Sequence, residues 1–255
     1  MSFKNKVVLV TGASSGIGAA IALKFAEEGA NVAIVGRNED KLKNVAENIA
    51  KVGNKPLVIV ADMTKDNDVQ RIVNDTLQQF GKIDVLVNNA GVVKYIDITD
   101  ENAMKEYDSV ITTNLRSVVY LTHLTSKYII ETRGNIINIS SVAGQSVWKN
   151  AFAYCTSKAG LDHFSRAIAL DLAPKGVRVN TISPGPVKSD IIENMGLKGE
   201  AATALLDGVI QKTALKRISD SVEIAQLTLF LASDRAVGIT GSTYVTDNGF
   251  MLGGN

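Results

Sequence analysis

Cysteine is almost absent. Cys155 is the only one in 255 residues, so no disulfide can form within the chain, and a reducing compartment is the simplest setting. Histidine is scarce as well: His123 and His163 are the only two, and neither is placed by sequence to activate the thiol, which argues against a nucleophilic cysteine. Neither sign of charge prevails. The chain has 27 basic and 26 acidic residues, interspersed, for a formal charge of +1, so it lacks the basic footprint of a nucleic-acid or polybasic membrane partner. No apolar run approaches the roughly 18 residues of a membrane span. The opening MSFKNKVVLVTG has only a superficial likeness to a signal peptide, because its short apolar run leads straight into a glycine loop. Linkers, repeats and low-complexity tracts are missing, and the four prolines fall at turns. These absences point to a soluble, cytoplasmic protein with a small-molecule partner and no metal centre.

What is present is enough apolar sequence for a large core. With 45% hydrophobic residues over this length, the chain fits one α/β domain spanning 1–255. Short β-branched runs at 7–10, 31–35, 56–60, 85–87, 135–139 and 178–182 lack strict polar alternation, as expected of strands buried on both faces. Between them lie helix-length amphipathic segments, among them 19–28, 40–51, 69–80 and 159–172. A last strand is expected near 243–245. The expected fold is a single Rossmann-type, doubly wound parallel β-sheet flanked by helices on both faces, with functional residues where strand C-termini open into loops.

The stretch 140–158, SSVAGQSVWKNAFAYCTSK, holds a serine, a tyrosine and a lysine at usable spacings. Tyr154 and Lys158 are four apart, so a helix beginning near Tyr154 sets them on one face, one turn apart. A cation about 4 Å from a phenol would lower the phenol's pKa by roughly three units before desolvation and screening, bringing it towards working pH as a proton donor or acceptor. The plain alternative is an exposed helix with an incidental pair.

A glycine loop, TGASSGIG at 11–18, follows the first strand and opens the first helix. Glycines there permit a tight turn and close approach of backbone amides to a pyrophosphate at a helix N-terminus. The spacing G-x-x-x-G-x-G departs from the usual G-x-G-x-x-G, but strand before and helix after supply the required context. Gly12, Ser14, Ser15, Gly16, Ile17 and Gly18 are therefore candidate cofactor contacts; a turn without ligand is the alternative. At the end of the second strand, where NAD sites commonly place an acid, the chain has Gly36 and Arg37. A guanidinium suits a 2′-phosphate, so NADP(H) is favoured over NAD(H), with Ser14 and Asn38 placed to add hydrogen bonds. A solvated surface arginine is the competing reading.

Taken together, TGxxxGIG at 11–18, NNAG at 88–91, Asn114 within TTNL, the set Ser141, Tyr154 and Lys158, and the PG turn at Pro184 and Gly185 resemble the classical short-chain dehydrogenase/reductases over nearly the whole chain. The resemblance implies that Ser141, thirteen residues before the tyrosine, holds the substrate carbonyl. It makes Tyr154 the general acid/base, Lys158 the group that lowers its pKa and binds the nicotinamide ribose, and Asn114 the anchor of a water relay. It also assigns Asp62 and Met63 to the adenine, Asn89, Ala90 and Gly91 to the adenosine ribose, and Pro184, Gly185, Val187 and Ser189 to the nicotinamide. Asp62 serves equally well as a turn or cap residue. Two departures stand out: Ser15 replaces a basic residue common in NADP-preferring members, and TDNG near the C-terminus replaces the commoner DGG, which puts the turn geometry in doubt.

Segment 191–213 falls where the family carries a lid over the substrate, though an ordinary helix pair fits as well. Val93, Tyr95, Ser141, Val147 and Trp148 are candidate pocket residues. The expected activity is NADP(H)-dependent carbonyl reduction or alcohol oxidation, on a ketosteroid such as an ecdysteroid or another lipophilic ketone. Its rivals are a 3-oxoacyl thioester reductase and a non-catalytic cofactor-binding regulator. The family further implies a homotetramer or dimer.

Overall fold

The computed structural model describes residues 2–188 and 207–253. Seven strands form one parallel sheet: β1 (Val7–Thr11), β2 (Asn31–Gly36), β3 (Leu57–Val60), β4 (Val85–Asn88), β5 (Asn135–Ile139), β6 (Arg178–Pro184) and β7 (Thr243–Thr246). Their order is β3-β2-β1-β4-β5-β6-β7, so the winding direction reverses between β1 and β4. In such sheets the crevice beyond the strand C-termini at that reversal is where ligands bind.

The lack of polar alternation in the strands has a direct structural cause. Val8, Val10, Val32 and Ile34 enter one core, packed under helices α1 (Gly16–Glu27) and α2 (Glu39–Ala50), while their neighbours Leu9, Ala33 and Val35 enter the opposite one. The second core is covered by α3 (Asp66–Phe80), α5 (Ser117–Thr132) and α6 (Phe152–Leu172); α4 (Ala103–Ile111) precedes α5. Both faces are apolar because both are buried. Each fully buried Leu, Ile or Phe side chain contributes about 1.5–3 kcal/mol by leaving water. Helix α7 (Ser221–Ala232) joins the first core through Ile224, Ala225, Leu229 and Leu231, beside Ile21, Ala22 and Phe25 of α1.

Two local features differ from the sequence expectation. Helix α6 begins at Phe152, seven residues before the 159–172 segment, so Tyr154 already lies in its first turn. Between α4 and α5 the chain widens into a π-helical turn at Thr112–Arg116, which buries Asn114 completely. Turns of this kind interrupt the regular ladder and re-aim a side chain, often at a functional position. The TDNG replacement is accommodated: Asn248 adopts φ 54°, and the Asp247 carboxylate accepts hydrogen bonds from the Gly249 and Met251 amides at 2.9 and 2.8 Å. Asparagine tolerates the left-handed region better than most residues, so it takes the place of glycine there. Among the described residues, no helix is long and apolar enough to cross a membrane.

Candidate active site

The glycine loop is tied down from β4. Thr11 Oγ1 accepts hydrogen bonds from the Asn89 and Ala90 amides at 3.0 and 3.1 Å, while Asn89 Nδ2 donates to the carbonyls of Thr11 and Gly12 at 3.0 and 3.1 Å. The Asn89 side-chain nitrogen therefore supports the loop. Gly12 has φ 64°, and a Cβ there would lie 2.8 Å from Ala90 Cα; one on Gly18 would collide with the Gly12 carbonyl. These glycines bring the first strand, the 88–91 segment and α1 closer together than any other residue could. Ser15 precedes α1 but makes no side-chain cap, leaving the helix N-terminus to an outside acceptor.

At the end of β2, Ser14 packs over Gly36: a Cβ on Gly36 would lie 3.2 Å from Ser14 Cβ. Arg37 is exposed beyond it. Asn38 Oδ1 caps α2 by accepting from Lys41 N at 2.9 Å, so this oxygen has a structural role that the sequence reading did not assign. Asp62 is held in a turn by Thr64, whose amide and hydroxyl donate to its carboxylate at 3.0 and 2.8 Å. Burial pushes the Asp62 carboxyl up, but these bonds, aided by Arg37 and Lys65, bring it below the usual carboxylate range. Met63 beside it is buried. An uncapped helix N-terminus, a glycine-lined approach and an exposed guanidinium at the second strand make a donor set that fits an anionic dinucleotide.

The other side of the crevice carries the polar set. Ser141 heads the tight turn Val142–Gly144, its Oγ accepting from Ala143 N at 3.1 Å, and its hydroxyl acts on the Tyr154 phenol, lowering its proton affinity. Ser140 turns away, its hydroxyl 3.4 Å from the Lys158 carbonyl. Asn150, with φ 60°, reverses the chain ahead of α6, and its carbonyl accepts from Ile96 N at 2.6 Å. Trp148 lies beside Tyr154, ring centroids 6.0 Å apart. Tyr95 and Val147 are exposed on the rim, Val147 to 91%, and Val93 is half-buried.

Lys158 is 4% exposed, and its Nζ donates to the Ile139 carbonyl at 2.9 Å. The same Nζ lies 5.8 Å from the Tyr154 ring centroid. The expected acidification of the phenol does not occur here. Burial pushes Tyr154 up to about 12, against the lowering effect of the Ser141 hydroxyl, while burial brings Lys158 down to about 8. The ammonium is engaged by a backbone carbonyl, and desolvation of the phenol outweighs its influence. At neutral pH Tyr154 is thus a protonated donor.

Asn114, from the π turn, spans the gap. Its Oδ1 accepts from Val92 N at 2.8 Å and its Nδ2 donates to Val92 O at 2.8 Å and Ser157 Oγ at 3.1 Å. Asn114 and Lys158 converge at Gly91, where a Cβ would lie 3.4 Å from Asn114 Oδ1 and 3.6 Å from Lys158 Nζ. Pro184 ends β6, and Gly185 N donates to Thr246 O at 3.0 Å; a Cβ on Gly185 would lie 2.6 Å from Asp247 Cβ. Val187 bridges to Ser219. Ser189 and most of segment 191–213 lie outside the described residues. Sequence reasoning missed Thr11, Ser157 and Asp162. Thr11 was detectable as a polar residue closing an apolar strand, and Asp162 as an acid one turn beyond Lys158. No group of three His, Cys, Asp or Glu side chains among the described residues is placed to hold a metal.

A family model described as enoyl-(acyl carrier protein) reductase matches residues 12–251. The chain is 36% identical over 250 residues to a 3-oxoacyl-[acyl-carrier-protein] reductase of Staphylococcus epidermidis, covering 97% of this chain and all of that one. It is 38% identical over 247 residues to the protein of the same name from Chlamydia muridarum, covering 96% of this chain and 97% of the other. Among solved structures, a short-chain dehydrogenase/reductase of Caenorhabditis elegans, crystallised with cofactor, superposes with a TM-score of 0.93 at 35% identity, covering 98% and 96% of the two chains. An aldohexose dehydrogenase of Thermoplasma acidophilum follows at 0.88 and 32% identity, covering 98% and 95%. Strand order, glycine loop and the convergence of Ser141, Tyr154, Lys158 and Asn114 agree with this kinship, and the chain belongs to the short-chain dehydrogenase/reductase family of oxidoreductases.

Proposed function

We propose that this oxidoreductase is an NADP(H)-dependent carbonyl reductase that interconverts a lipophilic ketone and its secondary alcohol. The observation that carries the reading is the buried Lys158, its Nζ 5.8 Å from the Tyr154 ring centroid and next to Asn114 at Gly91. A bound nicotinamide cofactor supplies the hydride. As a carbonyl carbon is reduced, negative charge develops on its oxygen, and a pre-aimed hydroxyl with a protonated phenol stabilises that charge more in the transition state than in the ground state. Ser141 holds the oxygen, Tyr154 delivers the proton, Lys158 maintains positive charge beneath them, and Asn114 fixes the 91–92 segment and anchors a relay towards Lys158. At neutral pH the phenol holds the proton that reduction of the carbonyl consumes. Arg37, exposed where NAD sites carry an acid, supports NADP(H). Tyr95, Val147 and Trp148 give the rim an apolar character suited to a lipophilic substrate.

A second reading, reduction of a 3-oxoacyl thioester, is favoured by the names of the two bacterial relatives, which match this chain almost end to end. One experiment separates them: NADPH oxidation against a panel of a ketosteroid, a short 3-oxoacyl thioester and a simple aromatic ketone, with NADH in parallel. Turnover of the ketones with NADPH is expected. Turnover confined to the thioester would select the second reading, and silence on every substrate with cofactor still bound would favour a regulator.

A further inference from the structure

One turn beyond Lys158, α6 buries a carboxyl group to which none of these roles has been given. Asp162 is 4% exposed, and its Oδ1 has no hydrogen-bond partner among the described residues. A Cβ on Gly144 would lie 2.7 Å from Asp162 Oδ2, so the carboxyl is pressed against the turn that Ser141 heads. The Ser140 hydroxyl, on a residue itself 5% exposed, lies against the same stretch of α6, donating to the Lys158 carbonyl at 3.4 Å. An unsatisfied buried carboxylate oxygen is costly, and a leucine or valine would fill this place on a helix without that cost. Its position between Lys158 and the serine turn gives it something to do.

We propose that Asp162 is a positioning residue for the Ser141, Tyr154 and Lys158 set, its carboxylate sustaining the ammonium form of Lys158 and seating the Ser141 turn against α6 at Gly144. The inference rests on the carbonyl-reductase reading of that set. Burial drives Lys158 down to about 8, and the opposing influence is Asp162. Burial also pushes the Asp162 carboxyl up, opposed by the Ser140 hydroxyl, Lys158 and Arg166. Lys158 and Arg166, both on α6, are the charges acting on Asp162, and the apposed turn brings only hydroxyl and peptide groups. The sign follows. Without the carboxylate, Lys158 loses its proton at lower pH, so carbonyl reduction fails at lower pH.

The test is the pH dependence of kcat for NADPH-driven reduction of whichever panel substrate turns over, in the wild type, Asp162→Asn and Ser140→Ala. Asp162→Asn is expected to move the alkaline limb down by about one pH unit. Ser140→Ala keeps the charge, so it should lower kcat several-fold with the limb in place. An unmoved limb in folded, cofactor-binding Asp162→Asn overturns the proposal. If that variant does not fold, or no substrate turns over, the wild type is titrated by ¹³C NMR at the Asp162 carboxyl carbon. A step near pH 8, where Lys158 changes charge, supports the pair, and a flat trace overturns it. Because this titration needs no turnover, loss of the carbonyl-reductase reading and loss of the Asp162 role give different results.

Discussion

At the scale of single residues, proton affinity at this site is set by burial more than by sequence spacing. Tyr154 and Lys158 are four apart and on one helix, yet the ammonium hydrogen-bonds the Ile139 carbonyl and the phenol stays protonated. Spacing alone could not give this, because it fixes which residues share a helix face but not where a four-carbon stem ends or how much water remains around a ring. Arg37 is a clearer case. It is exposed at the end of β2 with no acid at its own position, so replacing it by alanine should weaken NADPH binding about tenfold while leaving NADH nearly unchanged. Titration of intrinsic fluorescence with each cofactor measures both. Equal loss for the two cofactors would take Arg37 out of 2′-phosphate recognition.

At the scale of elements, the strands were legible and the joints between them were not. Runs such as VVLV and NIINI read as doubly buried strands because they lack polar alternation, and β1 and β5 form there; the two asparagines of NIINI are buried through bonds from Asn135 to Leu231 O at 3.1 Å and from Asn138 to Ser165 Oγ at 2.8 Å. The start of α6 near Tyr154 was legible in the 154/158 spacing, but the left-handed turn at Asn150 that sets it was hidden. The burial of Asn114 was hidden in the same way, as it follows from a π turn that has no distinctive composition. Helix α7 shows the opposite situation, a boundary written in side chains. Asp220 accepts from Val222 N, and Glu223 returns a bond to Asp220 N, forming a capping box reinforced by Arg217 at 2.7 Å. Arg217 and the Asp220 amide hold Glu223 at a pKa of about 2, so the stability this pairing gives is present above the ordinary carboxylate range and fades as pH falls towards 2. Replacing Asp220 by alanine should cost about 1 kcal/mol in denaturant unfolding. A change near zero would show that the Arg217 pair holds the helix start without the cap.

At the scale of the whole molecule, the reversal of winding between β1 and β4 brings the two halves of the chemistry together. The glycine loop and Arg37 come from one side of the crevice; Asn114, Ser141, Tyr154 and Lys158 come from the other. Gly91 is the meeting point, close to both Asn114 and Lys158. The sequence order of the motifs announced this arrangement, because a βαβ series with short loops leaves few alternative topologies. The substrate was not announced. Its specificity depends on rim side chains such as Tyr95, Val147 and Trp148, whose types suit many lipophilic ketones equally. The most direct measurement is single-turnover hydride transfer from NADPH in Tyr154→Phe beside the wild type, with cofactor affinity measured on the same samples. Loss of the proton donor should slow carbonyl reduction by about 10²–10⁴-fold while NADPH binding is kept. Transfer at the wild-type rate with NADPH bound would contradict the assignment of Tyr154 as the acid that completes carbonyl reduction.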